Sequence, residues 1–137
     1  MRSTATKSIL IVDDEEVMRE FLTEILEDYD ITKACDGEEA VEKIKEKNFE
    51  LIITDMKMPG ISGEEVVKFA RKESPETQII VISGYSSLSS VSNTLGHGVS
   101  AFLSKPFTIK QIRAEVEKIF QAGDFTQTGG IKIGDGI

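Results

Sequence analysis

Four short apolar runs each end on a side chain suited to phosphate or metal chemistry: Ile9 to Val12 on Asp13 and Asp14, Leu51 to Thr54 on Asp55, Ile79 to Ile82 on Ser83, and Ala101 to Ser104 on Lys105. Three carboxylates gathered within about 5 Å repel by roughly 3 kcal/mol per pair at an effective dielectric near 20, so such a site needs a counter-charge. A hard divalent cation supplies one, since Mg²⁺ takes a few carboxylate oxygens, a backbone carbonyl and several waters rather than an all-protein cage. It also neutralises a phosphoryl group arriving beside it. Aspartate is a nucleophile toward phosphorus and forms an acyl phosphate. One of the three can take that group while the others hold the ion, with Lys105 as a mobile opposing ammonium and Ser83 as a hydroxyl for a phosphate oxygen.

These groups converge only if the runs are parallel strands, because open α/β sheets carry their ligand sites at the carboxyl ends of the strands. The sequence supports that arrangement. Apolar stretches of strand length alternate with amphipathic stretches of helix length, the pattern of repeated βα units. Ile9 to Val12 is apolar throughout, as a strand covered on both faces should be. Val17, Met18, Phe21, Leu22, Ile25 and Leu26 follow at helical spacing. Ile31 to Cys35 is a shorter second strand closed by Asp36-Gly37, with Ala40, Val41 and Ile44 marking a second helix. Leu51 to Thr54 is the third strand; after Pro59-Gly60, Val66, Val67 and Ala70 give a third helix ending before Pro75. Ile79 to Ile82 is the fourth strand. Ser86 to Gly98 should hold a fourth helix on Leu88, Val91 and Leu95, short or fraying because its many Ser, Asn and Thr residues compete for backbone hydrogen bonds. Ala101 to Ser104 is the fifth strand, and Thr108 with Gln111 forms a capping box opening a last helix faced by Ile112, Val116, Ile119 and Phe120. Five such units with right-handed crossovers make a doubly wound α/β sheet whose switch point lies between strands one and three, the strands that end in Asp13, Asp14 and Asp55.

The totals agree with one domain. At 137 residues and 39% hydrophobic content the chain can bury a substantial core. A formal charge of −8 and pI near 4.7 argue against direct nucleic-acid binding, which needs clustered Lys and Arg. Cys35 is the single cysteine, so no internal disulfide forms and a reducing compartment follows; a small buried side chain near a strand end is its ordinary reading. The apolar run behind the N-terminus is too short for a signal peptide or membrane span. The sequence divides into an N-terminal tail (1–7), a folded domain (8–121) and a Gly-rich tail or linker start (122–137), within which Ile131 and Ile133 alternate with polar residues.

The segments Ile11-Val12-Asp13-Asp14-Glu15, Asp55-Met56-Lys57-Met58-Pro59-Gly60-Ile61-Ser62-Gly63, Ser83-Gly84 and Phe102-Leu103-Ser104-Lys105-Pro106-Phe107 closely resemble the receiver domains of two-component response regulators. The resemblance implies a flavodoxin-like (βα)5 fold with strand order 2-1-3-4-5, and a signalling domain rather than a turnover enzyme. It implies Asp55 as phosphoacceptor. Mg²⁺, for which Mn²⁺ substitutes, would be held by Asp14 and Asp55 directly, by Asp13 mainly through water, and by the backbone carbonyl of Lys57. Ser83 and Lys105 would hold the phosphoryl oxygens, and the peptide before Pro106 would be cis. Ser83 and Phe102 would form the switch, the aromatic ring turning inward as the hydroxyl moves to the phosphoryl group. A phosphoryl group adds about −1.5 to −2 charge and shifts a pre-existing equilibrium through its differential contacts. The face built from the fourth predicted helix, the fifth strand and the last helix would carry the output, to a protein target or a linked output domain. The phosphodonor would be a sensor histidine kinase or histidine phosphotransfer protein. The domain would be cytoplasmic, without membrane or direct nucleic-acid contact, and monomeric or weakly dimeric through the output face. No effector domain fits after Phe120, so the chain would act alone or as a fragment of a longer regulator. Val99 stands where the family commonly has a small alanine, Ser83 where threonine is commoner, and Lys57 and Tyr85 where the family tunes phosphoryl lifetime.

Plainer readings compete for each residue alone. An Asp pair after a strand is often a helix N-cap, Lys105-Pro106 a strand-to-helix corner, Phe102 a core aromatic, and His97, with no second histidine, a surface residue. A haloacid-dehalogenase-like phosphohydrolase also forms an aspartyl phosphate on a parallel sheet, but needs a second acid two places after the nucleophile, where this chain has Lys57. A degenerate receiver that works without phosphorylation would not need the intact acidic set and Lys105.

Overall fold

The computed structural model describes residues 6–84 and 96–127. Five strands, β1 (Ser8–Val12), β2 (Asp30–Ala34), β3 (Leu51–Asp55), β4 (Gln78–Ser83) and β5 (Ala101–Ser104), form one parallel sheet in the order β2-β1-β3-β4-β5. Helices α1 (Glu16–Ile25), α2 (Gly37–Glu46) and α3 (Gly63–Glu73) connect the first four strands. The chain through Pro106 is one compact unit; Phe107 onward forms a second, carrying α4 (Ile109–Gln127). The doubly wound flavodoxin-like class follows from this order, since it reverses direction between β1 and β3 as expected of a switch point.

Two alternating sets of side chains explain why the central strands are apolar at every position. Leu10, Val12, Ile52, Ile79 and Val81 join Ala40 and Ile44 of α2 and Val66, Val67 and Ala70 of α3 in one buried cluster. Ile9, Ile11, Leu51, Ile53, Ile80 and Ile82 point the other way and are also buried, as are Leu22 and Leu26 on and just after α1. Val17 is 83% exposed, so the apolar stripe of α1 starts one residue later than the spacing predicts.

Local chemistry sets the helix starts. The Asp36 side chain accepts the Glu39 N–H at 2.8 Å, and Ser62 with Glu65 makes a reciprocal capping box at 3.2 and 3.1 Å. In the second unit Thr108 and Gln111 cap each other at 3.0 and 2.8 Å, as their spacing predicts. The last helix continues to Gln127, past Gly123 and into the segment read as a tail. Cys35 departs from its expected burial: Ala34 points into the core, and the next residue, past the end of β2, turns outward with its N–H on Glu39 Oε1 at 2.8 Å. Residues 86–95 of the predicted fourth helix, together with Tyr85, and the alternation at Ile131 and Ile133 lie outside the described residues, and Gly96 to Gly98 are not helical.

Candidate functional site

The sheet register brings the strand ends together. Val12 pairs with Thr54 and Thr54 with Val81, which leaves Asp13 and Asp55 side by side just past the β1–β3 pairing. Ser83 pairs with Ser104, and the Lys105 N–H donates to the Ser83 carbonyl at 2.9 Å, extending that alignment to the lysine. Carboxylate oxygens of Asp13, Asp14 and Asp55 all lie within 4.8 Å of one another. Asp13 and Asp55 are buried and Asp14 is exposed.

Around that cluster the backbone supplies donors. The Met56 N–H reaches both the Ile82 carbonyl at 2.9 Å and Asp55 Oδ1 at 2.8 Å, and the Lys57 N–H adds a second bond to the Asp55 carboxylate. Asp13 Oδ1 accepts the Glu15 N–H at 2.9 Å, and Arg19 Nη1 holds the Asp13 carbonyl at 2.7 Å. Neither Asp13 nor Asp14 is the N-cap of α1: that residue is Glu15, whose own side chain makes no capping bond, and Asp13 bonds the N-cap residue's N–H rather than a first-turn N–H of the helix.

Lys105 Nζ lies 3.5 Å from Asp55 Oδ2, 3.8 Å from Asp13 Oδ2 and 3.7 Å from Glu15 Oε1. Its peptide bond to Pro106 is cis. Burial pushes the Asp13 carboxyl up to about 6, helped by the charges of Asp55 and Asp14 and opposed by the Glu15 N–H and Lys105. Burial also raises Asp55, against the pull of Lys105 and the backbone donors. For Lys105, burial disfavours the ammonium, but the carboxylates of Asp13, Asp55 and Glu15 outweigh it and its pKa rises. The acid cluster thus holds more negative charge than one lysine offsets.

An all-oxygen, carboxylate-rich donor set of this span fits a hard cation such as Mg²⁺, whose oxygen ligands sit at about 2.0–2.1 Å with waters filling the remaining positions. Soft or imidazole-preferring metals find no matching donors, because among the described residues no histidine or cysteine joins the cluster.

The other sequence-derived candidates fall as follows. Ser83 is buried at the end of β4. Phe102, on β5, is half-buried against the core cluster beside its register partner Val81, and Val99 packs on the same cluster. Lys57 is exposed in the loop after β3. His97 is half-buried, with Nε2 3.9 Å from Glu64 Oε2. Sequence reasoning gave no role to Glu15, Arg19 or Gly63. A Cβ on Gly63 would stand 2.0 Å from the Asp55 carbonyl oxygen and 2.7 Å from Met56 Cα, so only glycine lets α3 begin against the backbone of the candidate acceptor. The Gly63 N–H donates to the Met56 carbonyl at 2.9 Å. The glycine ending the Asp55 segment was visible in the sequence; that it touches Asp55 was not.

A family model described as the response regulator receiver domain matches residues 9–117. The response regulator receiver protein CpdR of Brucella abortus is 32% identical over 118 residues, covering 85% of this chain and 98% of its own. An uncharacterized transcriptional regulatory protein, YesN of Bacillus subtilis, is 37% identical over 116 residues, which are 81% of this chain but 32% of that protein. The chain therefore spans nearly all of one relative and about a third of the other. Among solved structures, response regulator protein TrrA of Thermotoga maritima, in complex with Mg(2+)-BeF, is 37% identical with a TM-score of 0.75, covering 83% of this chain and 99% of that one. Among the described residues no helix is long and apolar enough to cross a membrane.

Proposed function

The chain belongs to the response regulator receiver family, a family of phosphorylation-based signalling domains, and on that premise we propose that Asp55 takes a phosphoryl group from a partner phosphohistidine. The observation that carries this reading is the buried Asp55 carboxylate facing Lys105 Nζ at 3.5 Å while sharing a cluster with Asp13 and Asp14. An Asp55 carboxylate oxygen attacks phosphorus, the new P–O bond forms as the P–N bond to the donor imidazole breaks, and the electron pair leaves with that nitrogen. Lys105 neutralises charge on the transferring oxygens, and the Ser83 hydroxyl donates to one of them. The Met56 and Lys57 N–H groups orient the nucleophile.

Mg²⁺, or Mn²⁺ in its place, would be held by Asp14 and Asp55 directly, by Asp13 mainly through water and by the Lys57 carbonyl. When bound it offsets the negative charge of acceptor and phosphoryl group together. Phosphorylation would act on Ser83 and, through it, Phe102, altering the face around β5 that meets a protein target or a linked output domain. The receiver begins at residue 8 and takes in the last helix, which runs past the expected boundary at 121 to Gln127; it works in the cytoplasm, as a monomer or weak dimer. Its donor is a sensor histidine kinase or histidine phosphotransfer protein, and it assists its own phosphorylation and dephosphorylation without turning over a substrate.

Incubation with Mg²⁺ and a small phosphodonor, followed by intact mass, tests this. One labile phosphoryl adduct is expected, absent in Asp55→Asn and lost on chelation. An adduct that survives Asp55→Asn, or none under any donor, overturns the assignment.

A further inference from the structure

We propose that Glu15 is a positioning residue that holds the Lys105 ammonium at the rim of the site when the acidic cluster is otherwise neutralised. The inference rests on the phosphoacceptor reading of Asp55. Lys105 touches three carboxylates, those of Asp55 at 3.5 Å, Glu15 at 3.7 Å and Asp13 at 3.8 Å. Two of these belong to the cluster of Asp13, Asp14 and Asp55; Glu15 does not. A divalent cation on that cluster offsets two of its three carboxylate charges and so weakens the hold of Asp13 and Asp55 on the ammonium. Glu15, outside the cluster, then keeps Lys105 beside the acceptor.

The placement of Glu15 is itself fixed. Its N–H is bonded to Asp13 Oδ1 at 2.9 Å and its carbonyl accepts the Arg19 N–H at 3.0 Å, so the backbone that bears this side chain is tied to the site on one side and to α1 on the other. The side chain is 66% exposed and is not one of the clustered carboxylates, while its Oε1 still reaches Lys105. An exposed pair of this kind is weak in water, and its effect on a rate is correspondingly about two- to fivefold.

Two measurements test it. In the Mg²⁺-loaded protein without phosphodonor, ¹³Cε relaxation of Lys105 should show a more mobile side chain in Glu15→Gln than in wild type, with Glu15→Asp in between. At saturating Mg²⁺ with a small phosphodonor, Glu15→Gln should acquire its adduct about two- to fivefold more slowly, whereas Glu16→Gln, which removes a neighbouring charge with no contact to Lys105, should match wild type. In a Lys105→Gln background the Glu15→Gln effect should vanish, because a residue acting through Lys105 has nothing left to position. Equal Lys105 mobility in wild type and Glu15→Gln, or a rate loss that persists undiminished in the Lys105→Gln background, overturns the proposal. Absence of any adduct in wild type instead overturns the reading of Asp55, and the relaxation result still decides whether Glu15 holds the lysine.

Discussion

Asp13→Asn removes one buried negative charge while keeping an acceptor for the Glu15 N–H that now bonds Oδ1 at 2.9 Å. The carboxyl is 1% exposed and titrates at about 6 instead of 3.8. A folded-state value above the unfolded one means that the folded chain binds more protons between the two, so the stability of the wild type falls as pH rises through that window and is level above it. For one group displaced this far the integrated penalty is about 3 kcal/mol at pH 7.5 and about half of that at pH 5. Because the raised value already includes the pull of Lys105 on Asp13, the neutral Asn isostere should recover most of it. Urea denaturation followed by circular dichroism in chelator should therefore show Asp13→Asn more stable than wild type by about 3 kcal/mol at pH 7.5, with the gap narrowing toward pH 5. Added Mg²⁺ works in the opposite direction, stabilising a protein by about 2.7 kcal/mol at 100 times its dissociation constant. The wild type, with all three carboxylates, should gain more from it than the variant. A destabilised variant in chelator, or a gap that does not change with pH, would refute the claim that Asp13 is a desolvated charge held for a cation.

Lys105→Met should move stability the other way, lowering it by about 1 kcal/mol in chelator at pH 7.5 because Asp13 and Asp55 lose their shared cation, with Mg²⁺ closing most of the gap in the same assay. Gly63→Ala forces a Cβ to within 2.0 Å of the Asp55 carbonyl oxygen; a loss of at least about 2 kcal/mol in urea is expected, together with slower phosphorylation. Thr108→Ala deletes the cap that accepts the Gln111 N–H at 3.0 Å, and should lower stability by about 1 kcal/mol without changing Mg²⁺ affinity measured by calorimetry.

Periodicity carried most of the fold. Strands β1, β3 and β4 begin and end within a residue of the apolar runs, because a strand buried on both faces has no polar position to confuse its limits, and β5, a half-buried edge strand, coincides with its run as well. β2, on the sheet edge, is displaced by one residue, and there Cys35 turned out exposed. The chemistry was equally legible, since parallel pairing makes strand ends coincide in space. What the sequence concealed depends on contacts between residues far apart in the chain or on side-chain reach. Phe49 and Met58, buried in loops, follow no period. Glu15 reads as one more surface acid until Lys105 is seen beside it. The proximity of His97 to Glu64 brings a loop to a helix across more than thirty residues, a distance no local pattern spans.

The loop between β3 and α3 is fastened at both ends to the same few atoms. At its start the Met56 N–H is shared between Ile82 and Asp55; at its end the Gly63 N–H returns to the Met56 carbonyl, and Ser62 and Glu65 lock the helix start. Between these anchors Lys57, Pro59 and Gly60 are exposed. Substitutions at Lys57 and Pro59 meet mostly solvent, whereas Gly60, at φ +75°, disfavours any side chain despite the open space around it; an inserted or deleted residue must break an anchor or lift α3 off the Asp55 backbone. The loop can vary in composition, and so adjust what approaches Asp55, but it is held to one length.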